Sequence, residues 1–210
     1  MPGPDPEAAI YLAWLVWVVS WILAAVWSSR AQSRPGLRVE AAYRALTVVG
    51  VVMLFFTASH APVGSGGARI HRILLPLPPA LTAPLWTLPA AGTWACVALT
   101  VAGFAFAWWA RIHLGALWSA SITRKADHRI VDSGPYGLVR HPIYTGIILA
   151  LVALAAVKAT PAALLGAAVT TSSFWLKARF EEGFLSAELG PEPYAAYRRR
   201  VPMLIPFLRV

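Results

Sequence analysis

Long apolar runs with few or no charges dominate the chain, and only Arg44 interrupts the second of them. The clearest run covers Ala8 to Ser29, and others cover Ala41 to Ser59 and Ala90 to Ala110. Apolar residues predominate on every side of a helix built from these blocks, whereas a helix on a soluble core shows an apolar stripe with a period of 3.6. At 1.5 Å per residue, about 20 such residues cross a hydrocarbon layer of roughly 30 Å. The pattern therefore predicts membrane-spanning helices.

Two more apolar runs, Pro142 to Val157 and Pro161 to Leu176, lie close together in the second half. Only residues 158–160 separate them, and so short a connection predicts an antiparallel helical hairpin. Residues 60–89 differ, because repeated prolines after position 75 interrupt any helix there. We interpret 60–89 as an extracytoplasmic loop of interfacial or re-entrant character. The predicted fold class is all-α, a polytopic membrane protein with about five transmembrane helices.

Composition supports a membrane environment. The chain of 210 residues is 58% hydrophobic and 13% charged, with a mean hydropathy of +0.62, more apolar than a soluble domain of this size can bury. The single cysteine, Cys96, lies inside an apolar run and is expected to be a packed helix residue, so no metal site is predicted. No basic residue precedes Arg30, so we expect the first helix to be retained and not cleaved as a signal peptide.

The charge pattern predicts the orientation. The net charge is +9, but no basic stripe interleaved with exposed aromatic residues suggests a nucleic-acid partner. With the N-terminus outside and five spans, fifteen of the eighteen basic residues lie on the cytoplasmic side, and only Arg69, Arg72 and Lys158 lie outside. The sequence thus predicts an integral membrane protein, of a bacterial inner membrane, with a cytoplasmic C-terminus and contacts to membrane lipid.

Polar chemistry is concentrated in two stretches that flank the hairpin. The first contains Ser133-Gly134-Pro135-Tyr136-Gly137-Leu138-Val139-Arg140-His141-Pro142-Ile143-Tyr144-Thr145-Gly146. Gly134-Pro135 predicts a turn, and Pro142 suits the first position of a helix. The free N–H groups and positive dipole of that helix start can hold a carboxylate or phosphate. An ordinary membrane entry, with Arg140 reaching to the interface, is the alternative.

The second stretch begins where the last apolar run ends. Lys177 to Glu182 is expected to continue that helix into the cytoplasm, followed by Tyr194 to Pro206 with three successive arginines. Adjacent carboxylates beside a membrane are costly unless they meet cations. The alternative is an exposed helix face in which Lys177 supports Glu181 one turn away.

These motifs, taken in order, resemble the isoprenylcysteine carboxyl methyltransferase family and its phospholipid methyltransferase relatives. The resemblance covers Leu114 to Phe207. It is carried by Trp118-Ser119, His128-Arg129-Ile130-Val131, Gly134-Pro135-Tyr136, Arg140-His141-Pro142-Ile143-Tyr144, Glu181-Glu182 and Tyr197-Arg198-Arg199-Arg200-Val201-Pro202. It implies an enzyme with a cytoplasmic-facing C-terminal pocket that moves a methyl group from S-adenosyl-L-methionine to a lipophilic or prenylated acceptor, a carboxylate in the family's best-known case.

The resemblance also implies residue roles. Cofactor contacts would come from Ser121, His128, Arg129, Ile130, Val131, Tyr136, His141, Pro142, Ile143, Tyr144 and Glu181. Candidate catalytic residues are Arg140, Glu182 and Arg200. Lys177 stands where the family has an arginine that holds the substrate carboxylate, and Arg179 is an alternative donor. Lysine keeps the charge but loses the bidentate fork. Gly137-Leu138 also departs from the basic and aromatic pair that bacterial members often carry.

The chain is interpreted as one unit, with helices 1–3 in residues 1–112 and the methyltransferase-like region, including the hairpin over 142–176, in 113–210. Gly64 to Gly67 precedes no matching helix, so a soluble nucleotide-binding motif is not indicated. Two other functions stay open: an NADPH-dependent reductase of the sterol-reductase type, and a non-catalytic membrane protein with the same fold. Protection by S-adenosylhomocysteine or by NADPH would separate the two enzymes.

Overall fold

The computed structural model describes residues 3–24, 37–57, 77–118, 130–189 and 191–208. No β-strand lies within these ranges, so the all-α class is confirmed for them. The helices are α1 (Pro6–Ala24), α2 (Leu37–Phe55), α3 (Pro79–Thr82), α4 (Ala90–Leu114), a 3-10 turn (Gly115–Leu117), α5 (Pro135–Leu138), α6 (Pro142–Lys158), α7 (Pro161–Leu189) and α8 (Pro191–Arg200).

The long helices of the described ranges coincide with the five apolar runs. By length and apolarity alone, Pro6–Ala24 and Ala90–Leu114 can each cross a membrane, and the apolar Pro142–Lys158 is shorter. Helix α2 begins four residues before the predicted Ala41, and α7 continues 13 residues past Leu176. Among the described residues, α2 and α7 do not meet the same length and apolarity criteria, so the number of five spans stays a prediction.

Each helix of the bundle has a defined neighbour. Helix α2 packs on α7, α7 on α6, α6 on α4 and α4 on α1. Trp14 of α1 also reaches Phe55 of α2, with ring centroids 5.0 Å apart. The hairpin of α6 and α7 thus lies in the middle of the bundle, and the first half of the chain covers it on both sides.

Glycines allow the closest helix contacts. A Cβ atom on Gly166 of α7 would lie 2.7 Å from the carbonyl oxygen of Gly50 in α2. Likewise, a Cβ atom on Gly146 of α6 would lie 3.0 Å from the backbone nitrogen of Ala107 in α4 and still closer to the carbonyl of Gly103. Small residues at such points let helix backbones touch, which stabilises packing where water does not drive association.

Lys158 joins the end of α6 to the end of α2, at the end of the bundle away from the C-terminus. This residue was predicted to lie outside in the hairpin connection, and its side chain is buried there. Its ammonium group donates to the carbonyls of Leu54 (2.7 Å) and Thr57 (3.1 Å) at the end of α2, where a cation complements the helix dipole. Trp86 donates to the carbonyl of Ala156 (3.0 Å), so the described part of the 60–89 loop packs on the hairpin.

Candidate active site

A cavity of about 320 Å³ lies where α6 begins, at the end of the bundle that carries α8. Six of the helices (α1, α4, α5, α6, α7 and α8) contribute to its walls, together with the segment after α4. The lining side chains are Trp17, Trp21, Leu114, Leu117, Trp118, Ile130, Val131, Tyr136, Arg140, His141, Pro142, Ile143, Tyr144, Ile147, Phe174, Lys177, Glu181, Leu185, Tyr194 and Tyr197. A volume near 300 Å³ is at the low end of the range for small-molecule sites.

A glycine turn brings the first polar stretch to this cavity. Gly134 has a φ of 56°, and a Cβ atom there would lie 3.0 Å from Nδ1 of His113. Glycine is therefore required on both conformational and steric grounds. Pro135 begins α5 and Pro142 begins α6, each at the position where a missing N–H group costs nothing. The predicted turn and helix start are both confirmed.

The C-terminal strap, residues 201–208, returns to the start of α6. The backbone N–H of Arg140 donates to Pro202 (2.8 Å), and that of His141 donates to Met203 (3.1 Å). The hydroxyl of Thr145 donates to the carbonyl of Leu204 (2.6 Å). The strap thus accepts hydrogen bonds from the two backbone N–H groups that directly precede α6.

Glu182 organises a buried cluster behind the cavity. Its side chain is only 3% exposed, and its carboxylate accepts from Nε of Arg140 (2.6 Å) and lies 3.1 Å from Nε2 of His141. Arg198 of α8 is 3.3 Å away, and Arg140 also donates to the carbonyl of Val201. Burial alone would raise the pKa of Glu182, but these hydrogen bonds outweigh it and lower the pKa. The exposed-face alternative is therefore wrong for Glu182.

Glu181 faces the cavity instead. The hydroxyl of Tyr144 donates to it (2.8 Å), and Nδ1 of His141 lies 3.7 Å from the same carboxylate oxygen. The rings of His141 and Tyr144 are stacked at 5.4 Å, and Tyr144 stacks in turn on Phe174 at 5.2 Å. The ammonium of Lys177 lies 5.2 Å from the Tyr144 ring centroid. An acidic and a basic group therefore share one aromatic wall.

Three tryptophans form the opposite wall, which we call the indole wall: Trp17, Trp21 and Trp118. Trp17 is stacked on Phe104 of α4 with centroids 4.9 Å apart. Trp21 meets the ring of Trp118 edge to face at 5.6 Å. The cavity consequently lies between two sets of aromatic faces, an arrangement suited to a flat or cationic ligand.

Arg111 supports the indole wall from behind. Its side chain is only 1% exposed, with its guanidinium 4.2 Å from the Trp118 ring centroid. It also donates to the carbonyls of Ala24 (2.9 Å) and Gly115 (3.0 Å). One cation thus joins the end of α1, the end of α4 and the ring of Trp118.

Most of the predicted site residues that the structure describes line the cavity. Burial and the nearby charge of Glu181 raise the pKa of Tyr136, so its hydroxyl stays neutral. Ser121, His128 and Arg129 lie outside the described residues. The predicted residues brought together are Ile130, Val131, Tyr136, Arg140, His141, Pro142, Ile143, Tyr144, Lys177 and Glu181.

Three other predicted residues have different surroundings. Glu182 lies behind the cavity in its buried cluster. Arg179 is exposed, with its guanidinium 5.6 Å from the ring centroid of Trp175. Arg200 forms an exposed ion pair with Asp132 at 3.0 Å. These positions favour a structural role for Glu182 and favour Lys177 over Arg179 as a contact to a ligand.

Sequence reasoning missed the contribution of α1. Trp17 and Trp21 are one turn apart, and this spacing within an otherwise uniform apolar run was the available signal. Phe174, Ile147 and Leu185 were likewise not singled out, although they line the cavity. Apolar residues of a membrane span carry no mark in the sequence that separates lipid-facing from cavity-facing positions.

The described residues form an all-helical bundle with an aromatic cavity at one end, unlike the sheet-based soluble methyltransferases. Residues 96–187 match the model of the isoprenylcysteine carboxyl methyltransferase (ICMT) family. The resemblance stated from the sequence is confirmed there.

Individual relatives agree with the family match. Methanethiol S-methyltransferase 2 of Bradyrhizobium diazoefficiens is 45% identical over 73 residues, which are 35% of this chain and 27% of that protein. Protein-S-isoprenylcysteine O-methyltransferase B of Arabidopsis thaliana is 31% identical over 88 residues, 41% of this chain and 44% of that protein. Cobalt-zinc-cadmium resistance protein CzcN of Cupriavidus metallidurans is 34% identical over 122 residues, which are 56% of this chain and 53% of that protein. The chain thus spans about a quarter to a half of these relatives.

Proposed function

We propose that this protein transfers the methyl group of S-adenosyl-L-methionine to a lipophilic acceptor at the cytoplasmic face of a membrane. The observation that carries the proposal is the cavity in which Glu181 and Lys177 share an aromatic wall opposite the indole wall. The family match over residues 96–187 and the methyltransferase relatives support the same reaction class.

The lining residues fit such a cofactor. S-adenosyl-L-methionine combines a flat adenine, a sulfonium, an ammonium and a carboxylate. Aromatic faces attract a cation and stack on a flat ring, and the Glu181 carboxylate would hold the ammonium. The strap occupies the N–H groups of Arg140 and His141, but a helix leaves its first-turn donors unused, so those of Ile143 and Tyr144 would hold the carboxylate.

The acceptor's nucleophilic group would lie beside Lys177. When bound, the cofactor supplies a methyl group on sulfur, whose C–S bond breaks and leaves its electron pair on sulfur as the acceptor's bond to the methyl carbon forms. Lys177 would hold an acceptor carboxylate, which needs no general base because it is already ionised. The aromatic walls would position both molecules and exclude water, the main sources of rate in such a transfer.

Two acceptor chemistries match the named relatives, one of which is named for a thiol and one for isoprenylcysteine. We propose a carboxylate, as in isoprenylcysteine carboxyl methylation, because the basic side chain of Lys177 lines the cavity next to Tyr144. A thiol would need to lose its proton first. The acceptor would enter from the membrane, since the cavity's deeper residues are apolar.

Purified protein in lipid nanodiscs, given radiolabelled S-adenosyl-L-methionine, tests the reaction. The acceptor panel comprises alkanethiols, prenylcysteines, isoprenoid acids and amino lipids, and we expect label in the acid acceptors. In the same assay, Lys177→Met should weaken transfer to the acid acceptors. Arg179→Met is its matched control, because Arg179 is a nearby exposed cation of the same helix. Transfer to thiols alone would refute the carboxylate proposal. Protection from proteolysis by NADPH but not by S-adenosylhomocysteine would favour the reductase instead.

A further inference from the structure

The cavity has a charged end and an apolar end. Lys177 and Glu181 lie at the end near α8, whereas Trp17, Ile147 and Phe174 line the part further into the bundle. On its own helix, each of these three residues lies about one turn further from the charged end than the next residue that lines the cavity. An acceptor whose reactive group meets Lys177 would therefore extend its apolar group toward Trp17, Ile147 and Phe174.

Three rings, those of Trp14, Phe55 and Phe104, form what we call the aromatic floor beyond Trp17. The ring of Trp17 contacts those of Trp14 (5.9 Å) and Phe104 (4.9 Å). Trp14 lies about one turn further along α1 and is only 7% exposed. Its ring meets Phe55 of α2 at 5.0 Å and Phe104 of α4 at 4.8 Å, both edge to face. Three helices thus place large rings in contact directly beyond Trp17.

Close contacts between neighbouring helices lie beside this floor. Gly103 and Gly146 bring the backbones of α4 and α6 into direct contact. The stacked rings of Trp17 and Phe104, 4.9 Å apart with an interplanar angle of 12°, join α1 to α4. A chain that passes Ile147 would meet packed side chains and not an open channel between these helices.

We propose that the aromatic floor limits the length of the acceptor's apolar group, so that the protein takes compact acceptors, with one ring or a short alkyl chain. The inference rests on the proposed function, since it requires the acceptor to occupy this cavity. It adds a specificity role for Trp14, Phe55 and Phe104. A close-packed core cannot admit further methylenes without forcing side chains or backbone to move.

Binding across a chain-length series tests this proposal without requiring turnover. Radiolabelled butanoic, octanoic and hexadecanoic acids are bound to the whole protein in nanodiscs saturated with S-adenosylhomocysteine, and empty nanodiscs correct for lipid partition. We expect binding to fall at least about tenfold from octanoic to hexadecanoic acid. Alkanethiols of matching lengths extend the series to a thiol acceptor.

Truncating a residue of the aromatic floor should allow longer acceptor chains to bind. Trp14→Ala should strengthen binding of hexadecanoic acid at least about tenfold and leave butanoic acid unchanged, because only the longer chain reaches the new space. Trp14→Leu is a smaller truncation that serves if Trp14→Ala does not fold. Trp109→Ala is the matched control, because Trp109 is 47% exposed on the outer face of α4.

Two outcomes would overturn the proposal. One is wild-type protein that binds hexadecanoic acid as tightly as octanoic acid. The other is a length profile that both Trp14 variants leave unchanged. Binding of S-adenosylhomocysteine, measured in the same samples, tests the proposed function separately. If the protein does not bind S-adenosylhomocysteine but still shows the expected dependence on chain length, the proposed cofactor is wrong and the length limit set by the aromatic floor stands.

Discussion

Glu181 and Glu182 point in different directions, because successive residues of an α-helix are rotated by about 100°. Glu181 therefore reaches the hydroxyl of Tyr144 in the cavity, while Glu182 reaches Arg140 and Arg198 behind it. The sequence suggested that adjacent carboxylates need cations, and this expectation is confirmed for Glu182. Which of the two faces a ligand depends on the helix's rotation, which the motif alone does not determine.

Glu182→Ala should lower the free energy of unfolding by about 3–5 kcal/mol, because it leaves Arg140 buried without its anionic partner. Unfolding in mixed micelles with increasing denaturing detergent measures the change. Asp132→Asn is the control, since it breaks only the exposed pair with Arg200 and should cost at most about 1 kcal/mol. Equal costs for the two variants would mean that the buried cluster contributes no more than a surface ion pair.

Glu181→Gln and Lys177→Met should affect different ligands. Glu181→Gln should weaken S-adenosylhomocysteine binding roughly tenfold or more, because it removes a charge-assisted contact. Lys177→Met should mainly raise KM for an acidic acceptor, and Lys177→Arg should retain activity or improve it by restoring a bidentate donor. Isothermal calorimetry and steady-state kinetics measure the two effects. If both substitutions change the affinities for cofactor and acceptor slightly and equally, the assignment of Glu181 and Lys177 to one shared pocket is wrong.

The elements of the fold were largely predictable, since five apolar runs became five long helices among the described residues. Their ends were less predictable where polar residues continue a helix. Helix α7 extends to Leu189 because its charged part packs against α8 and the start of α6, contacts that an apolar run does not reveal. The glycine contacts between α2 and α7 and between α4 and α6 were likewise not visible from hydrophobicity.

Substitution of helix glycines tests these contacts at the level of whole elements. Gly146→Ala should lower the free energy of unfolding by about 1–3 kcal/mol, because its Cβ atom would meet the backbone of α4. Gly183→Ala is the matched control within α7, where a Cβ atom meets nothing within 4 Å. That change should raise stability by about 0.5–1 kcal/mol. A stable Gly146→Ala protein with unchanged packing would contradict the close contact of α4 and α6.

At the scale of the whole molecule, the cavity unites the two halves of the chain. Helix α1 supplies Trp17 and Trp21, although the resemblance begins only at Leu114. The order in which helices pack could not be predicted, because uniformly apolar helices do not specify their neighbours by hydrophobic pattern. The polar half of the site was found from its motifs, and the aromatic half required the tertiary structure.

The orientation in the membrane is a separate prediction from the distribution of basic residues. A cysteine at exposed Ala187 should not react with an impermeant thiol reagent outside intact cells and should react after permeabilisation. A cysteine at Gly3 should react in intact cells, and native Cys96 should stay silent because it is buried. Reaction at Ala187 from outside would refute the cytoplasmic C-terminus.

Calorimetric titration of the intact protein in nanodiscs with S-adenosylhomocysteine tests the central claim most directly. The structure has a cavity with two aromatic walls and the carboxylate of Glu181, and the account predicts saturable binding of one molecule per chain. NADPH titrated under the same conditions should give no saturable heat. Folded protein that binds NADPH, or that gives no saturable heat with S-adenosylhomocysteine, would contradict the account.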